Sequence, residues 1–458
     1  MKQSRASSTS AGFGLAAVLA LTLAVPATAE TSDQDAPLQG EHVEPGTHQD
    51  NAPVVEPGDY YTGSFGPETL YYRVARTMEE STLHVGLTTY DQEGQATDDA
   101  EIALGTFDGS SCDSDRLGWE SGSAGNLLRG AQIRATAPRD PEHHSAVPEC
   151  GSSQELLLTV ETLGDELTGE DFELVIAEEP DPVNGDELRT SFEDDADHWG
   201  PDGLTWQELQ RDRDADNPID PGGSLHSAPQ VEPGTTYDAA LEPGGIHVYR
   251  ISADWNEQIQ AEVFFPEPDS QLSEHLGRWS EAEVSIISPY RGATTPSGNR
   301  APNEQNTSNR VDDTAATTLR AQSYPVTWTG RFAGNQVGGN ARHATVAGDY
   351  YLVVTMDPAE EGADEEETSF EVPYRLTAGV HPAFDETAPE YSQPAVTPAG
   401  SSDADTGDEQ SDTVATPDEQ TSGISAGQGL AIGLGLLGLL LIAGGGLFLA
   451  RVMRQQRP

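Results

Sequence analysis

Apolar and polar side chains alternate with a period of two over many short stretches of this chain. Leu83, Val85 and Leu87 are separated by polar or small residues, and so are Ile259, Ala261, Val263 and Phe265. Later in each half, an apolar run at 156–160 precedes Phe172, Leu174 and Ile176, and one at 348–356 precedes Phe370, Val372, Tyr374 and Leu376. A period of two predicts half-buried strands, with turns at the intervening Gly, Pro and Asp residues. No long apolar repeat of 3.6 residues intervenes. The pattern therefore predicts an all-β chain of two tandem antiparallel β-sandwich domains, and argues against helical or βαβ folds.

Two further apolar runs break the alternation. Residues 426–450 carry no charge and are followed at once by Arg451, Arg454 and Arg457. Such a run exceeds the roughly 20 residues that cross a hydrocarbon core, and basic residues just past a span stay on the cytoplasmic side. At the other end, Lys2 and Arg5 precede an uncharged stretch at 12–25 and the small-x-small sequence Ala27-Thr28-Ala29. This reads as a signal peptide, 1–29, cleaved after Ala29. The expectation is a type I cell-membrane protein with one C-terminal transmembrane helix, a cytoplasmic tail at 451–458 and the bulk of the chain extracellular.

A duplication organises the middle. Residues 55–74 recur at 231–251: Pro57-Gly58 matches Pro233-Gly234, Tyr61 matches Tyr237, and Tyr72-Arg73-Val74 matches Tyr249-Arg250-Ile251. The expected boundaries are an acidic linker at 30–45, a first sandwich at 46–180, an acidic linker at 181–224 with one short helix, and a second sandwich at 225–381. Residues 382–425 are rich in Asp, Glu, Thr, Ser, Pro and Gly, too poor in apolar side chains to order themselves, and are expected to form a disordered acidic stalk.

The order of elements resembles the bacterial pre-peptidase C-terminal (PPC) domain. An opening Pro-Gly…Tyr turn leads to strands at 71–74 and 83–87, and late strands follow at 348–353 and 374–378. This resemblance implies a small jelly-roll-like sandwich. The D-x-D-L-x-L strand of that family has no copy here, so no calcium site is carried over from it. Signal peptide, paired sandwiches, acidic stalk and basic-tailed anchor together also look like the layout of actinobacterial surface proteins.

Charge narrows the partners. Loss of Lys2 and Arg5 with the leader leaves 21 basic residues against 78 acidic ones, a net charge of −57, and no lysine. Such a surface repels phosphate backbones, which excludes nucleic acid. Cys112 and Cys150 are the only cysteines, and an oxidising compartment makes a disulfide between them the expectation. Neither belongs to a CxxC pair.

Candidate chemistry is sparse. Asp212-x-Asp214-x-Asp216 with Asp220 begins like a calcium loop, but Asn217 and Gly223 stand where an EF-hand needs glycine and glutamate. Solvated acidic sequence is the reading adopted. His143-His144 read as loop histidines, not as ligands. There is no S-x-x-K or P-loop. Adjacent tyrosines, Tyr60-Tyr61, Tyr71-Tyr72 and Tyr350-Tyr351, must each turn one ring away from the core of their strand. Outward rings could stack on sugar or a partner protein; the plainer alternative is that they cover sheet edges or face the neighbouring sandwich. The functional expectation is adhesion, recognition or envelope scaffolding, without catalysis or cofactor, through an unknown protein or cell-wall glycan. An accessory or substrate-binding component of an envelope enzyme, and a tethered subunit of a secretion or signalling complex, are the alternatives.

Overall fold

The computed structural model describes residues 37–91, 98–123, 126–136, 147–195, 204–212, 216–276, 280–296, 304–332, 339–358, 370–384 and 387–398. The expected leader, His143-His144 and the run at 426–450 lie outside them. Among the described residues no helix is long and apolar enough to cross a membrane.

The first half folds into β1 (Glu41–His42), β2 (Val54–Val55), β3 (Asp59–Ser64), β4 (Leu70–Ala75), β5 (Ser81–Asp91), β6 (Ala100–Gly105), β7 (Ser111–Arg116), β8 (Trp119–Ser123), β9 (Asn126–Ala135), β10 (Glu155–Thr162) and β11 (Asp171–Pro180). These make one sheet ordered β1-β3-β11-β5-β9-β8 and another ordered β2-β4-β10-β6-β7. The second half supplies β12 (Thr236–Leu241), β13 (Ile246–Ala253), β14 (Glu257–Phe265), β15 (Glu281–Ile287), β16 (Ser308–Arg310), β17 (Thr317–Gln322), β18 (Gly348–Met356) and β19 (Val372–Pro382). Its sheets run β12-β19-β14-β17 and β13-β18-β15-β16. When β8 and the short leading strands are set aside, both halves have the same order: first strand beside last, then third, then sixth, facing second, seventh, fourth and fifth. Each is an eight-strand jelly roll.

Alternation works as the sequence implies. Leu83, Val85 and Leu87 of β5 pack inward against Leu156, Leu158 and Val160 of β10, and Ile259, Val263 and Phe265 of β14 do the same in the second core with Leu352 and Val354 of β18. Each such side chain stabilises its sandwich by roughly 1.5–3 kcal/mol relative to exposure. The Pro-Gly turns are equivalent as well. Gly58 and Gly234 hold φ of +96° and +79°, open to glycine without strain, and the hydroxyls of Tyr61 and Tyr237 receive the Glu56 and Glu232 amides at 2.9 and 3.1 Å.

The duplication reaches further back than the sequence comparison placed it. Val54 pairs in parallel with Arg73 and Gln230 with Arg250; Gly46 bridges Tyr71 and Gly222 bridges Val248; His42 pairs with Thr62 and Pro218 with Asp238. Residues 217–223, expected within the acidic linker, thus form the leading segment of the second jelly roll. Described residues before it are packed too. After the helix α2 (Gly185–Asp195), Leu204 joins Tyr324, Ala341 and Ala344, while Trp206 is buried beneath Arg320. Gln260 of β14 binds the backbone on either side of Trp206. Acidic composition suggested solvation; Trp206 instead covers the outer face of β14 and β17.

The expected disordered stalk needs a correction at its start. Residues 387–398 lie as a strap on the first jelly roll, where the β11 edge is free beyond the end of β3. Val396 exchanges both backbone hydrogen bonds with Glu178 at 2.8 and 2.9 Å. Composition cannot reveal order that comes from an edge elsewhere in the chain. The disulfide forms as expected: Cys112 on β7 and Cys150 on α1 (Pro148–Ser152) have Cα atoms 5.6 Å apart.

Candidate functional site

Most of the buried ionisable chemistry gathers where the two jelly rolls meet. Their β1-β3-β11-β5-β9-β8 and β13-β18-β15-β16 sheets face one another, so four layers stack. Leu128 of β9 packs with Val248, Ile287, Tyr351 and Val353 of the second module, and Val175 and Ala177 of β11 pack with Tyr290. Strand β11 is therefore covered on both faces. Its inward residues are Phe172, Leu174 and Ile176; Glu173, Val175, Ala177 and Glu179 point at the second jelly roll.

Two carboxylates at the ends of that outward row organise the junction. Glu173, 1% exposed, accepts from Arg291 Nη2 at 3.0 Å and from the Gln39 amide at 2.9 Å, and pairs with His226 Nε2. Glu179, 3% exposed, accepts from Arg331 Nη2 at 2.9 Å, meets His84 Nε2 at 2.9 Å and receives the Tyr391 hydroxyl from the strap. Arg291 and Arg331 come from the second module. Burial by itself would raise both carboxyls; the His226 hydrogen bond and Arg291 charge at Glu173, and Arg331 with His84 at Glu179, outweigh it. Glu173 is held below its ordinary value and Glu179 is brought down to about 2. Burial lowers His84, against the pull of Glu179, so the ring is neutral and donates Nε2–H to the carboxylate. Its Nδ1 finds no partner among the described residues, and its ring stacks on Tyr290 at 4.7 Å.

Close approach of the modules depends on two glycines. A Cβ on Gly86, in the middle of β5, would run into the Tyr290 carbonyl. One on Gly292 would meet the His343 ring at 2.5 Å and Gln132 Oε1 at 2.6 Å. Between them Arg291 adopts φ +74°, fully buried, its guanidinium 5.2 Å from the Tyr351 ring and 5.8 Å from Tyr60. A non-glycine residue in this left-handed region is strained, and it persists because ion pair and rings hold it. Arg134 of β9 donates to the Arg331 carbonyl at 2.8 Å and to that of Arg342, pinning the turns Trp328–Phe332 and Gly339–His343. Burial lowers Arg134 to about 10, which leaves it charged at neutral pH. Arg342 reaches Asp113 at 3.3 Å and Ser288 donates to Gln132 at 2.6 Å.

The residues singled out from sequence fall around this junction unevenly. Tyr61, Tyr72 and Tyr350 sit in their cores, whereas Tyr60 and Tyr351 turn outward and meet across Arg291. Those outward rings thus face the neighbouring sandwich. Cys112 and Cys150 lie apart from the junction. Asp214 is outside the described residues, Asp220 lies in the leading segment, and among the described residues no group of three His, Cys, Asp or Glu could hold a metal. Sequence reasoning missed Glu173, Glu179, Arg291 and Arg331. One signal was available: the outward positions of β11 include Val175 and Ala177, and 350–354 of β18 is apolar without alternation, as strands covered on both faces are. Chemically, the arrangement fixes orientation. Each carboxylate is saturated by partners from several segments.

No protein-family model and no curated protein sequence matches the chain. Among solved structures it aligns with the M60 catalytic domain with its two CBM51 domains from Clostridium perfringens (9% identity, 68% of this chain and 33% of that one, TM-score 0.15). It also aligns with the tandem CBM51 modules of a family 98 glycoside hydrolase from Streptococcus pneumoniae (12%, 70% and 82%, 0.17) and with the ANX1 ectodomain of Arabidopsis thaliana (9%, 70% and 82%, 0.15). The chain spans about a third of the first of these. At such scores the likeness carries no argument about function.

Proposed function

We propose that this chain is a membrane-anchored extracellular protein whose two jelly rolls act as one rigid head for recognition, adhesion or scaffolding at the cell surface, without catalysing a reaction. The carrying observation is the saturated junction: Glu173 and Glu179 on one strand each bind an arginine of the other module, with both partners of each pair buried. Fixed orientation suits a head that presents a composite surface to a protein or glycan. The leader, the disulfide and the apolar run followed by three arginines support an exported, single-span topology, and the PPC resemblance fits this reading. Outside the head, residues 399–425 serve as the acidic spacer.

Protease shaving of intact cells tests the topology and binding together. Head fragments are expected in the released fraction, and purified protein is expected to be retained by cell-wall glycan or by a surface protein extract from the same cells. Recovery of the intact chain from the cytosolic fraction, or a head that no envelope component retains, would refute the proposal.

A further inference from the structure

Asn184 holds the strap in the way one backbone holds another. Its side-chain Nδ2 donates to the Ala388 carbonyl at 2.9 Å and its Oδ1 accepts the Glu390 amide at 2.9 Å. Because a carbonyl can only accept and an amide N–H can only donate, these partners fix the orientation of the carboxamide. Beside it, the Val183 amide donates to the Glu390 carbonyl at 2.7 Å. Asn184 is followed by Gly185, and this is the single Asn-Gly pair in the sequence. Glycine lacks the Cβ that shields the backbone nitrogen after an asparagine, and it reaches backbone angles closed to other residues.

We propose that Asn184-Gly185 is a self-modification site gated by the strap, and that its conversion makes strap release irreversible. In the reaction the Gly185 nitrogen attacks Cγ of Asn184, forming the N–Cγ bond of a cyclic imide. The Cγ–Nδ2 bond breaks, and ammonia departs with the proton that Gly185 gives up. Solvent water then opens the imide at either carbonyl to leave aspartate or isoaspartate. With the strap docked, the electrophile is clamped by Ala388 and Glu390, and the attacking nitrogen donates to the Pro182 carbonyl at 3.0 Å. Release removes the clamp from Cγ and frees Val183. The product has no donor for Ala388 and sets a carboxylate against that carbonyl, so the strap loses its grip. This inference does not depend on the membrane reading.

The test uses the full chain, incubated in mildly alkaline buffer and followed by peptide mass mapping with an isoaspartate assay. Tyr391→Phe and Val396→Pro each remove one strap hydrogen bond, and each is expected to speed conversion at Asn184 about fivefold by raising the undocked fraction. Equal rates in the parent and both variants would overturn the gating. Asn184→Asp changes no atom count in the side-chain skeleton, so folding is not in question. It is expected to expose 387–398 to limited proteolysis, and protection equal to the parent's would overturn the irreversibility.

Discussion

One tyrosine of the duplicated module meets two different situations. Tyr249 donates to or accepts from Tyr374 at 2.5 Å, and Tyr374 in turn meets His247 Nδ1 at 2.8 Å. Its counterpart Tyr72 faces Phe172, and its buried hydroxyl finds no partner among the described residues. An unpaired buried hydroxyl is a penalty, while a paired one contributes about 1 kcal/mol. Tyr249→Phe is therefore expected to lower stability by about 1 kcal/mol, and Tyr72→Phe to leave it unchanged or raise it, measured as urea midpoints at constant slope. Glu179 supplies a pH dependence. Its folded carboxyl titrates near 2, below an unfolded value of about 4.5, so its contribution is complete above about 4.5 and is lost as pH falls toward 2. The lost part is on the order of 3 kcal/mol. Glu179→Gln is expected to flatten the urea midpoint between those values relative to the parent; an unchanged slope would refute the assignment. Neither Glu173 nor Glu179 could be ranked from sequence, because glutamates at the two ends of an outward row read as solvent-facing residues.

At the level of elements, strands that alternate over five or more residues were legible. So was the disulfide, since two cysteines leave one intramolecular pairing. It closes a loop of 38 residues between β7 and α1, and its loss by Cys112→Ser/Cys150→Ser is expected to cost about 4 kcal/mol on a chain-entropy estimate. Thermal melts of the parent with and without reductant, beside the double variant, give the comparison. Parent without reductant should melt highest, and the other two should coincide. The leading segments were not legible. Each touches its module through parallel pairs of one or two residues on either side of an antiparallel bridge at Gly46 or Gly222, too short to alternate. Their shared signal was the pair Pro-Gly followed by Ala52-Pro53 or Ala228-Pro229, which carries no periodicity. The strap was hidden for a related reason: its order is supplied by the free edge of β11 and by Asn184.

The whole molecule turns on whether the modules unfold together. Each jelly roll has its own core, so composition alone would allow two independent transitions. The junction argues otherwise. Arg331 lies between Glu179, Thr82 and the Thr345 carbonyl, and Arg291 between Glu173 and two tyrosine rings, so separating the modules leaves paired charges to be resolvated all at once. Cutting one partner out is worse than separation, because Arg331→Ala strands Glu179 and neutral His84 in an apolar setting, at a cost of about 3–5 kcal/mol. That cost falls on the junction and leaves both cores intact. Calorimetry of the parent is therefore expected to give one endotherm with calorimetric and van 't Hoff enthalpies in agreement. Arg331→Ala should split it in two, the higher-melting component staying near the parent's temperature. Two transitions already present in the parent would mean that the buried pairs orient the modules without coupling their stability, and the rigid head would lose its physical basis.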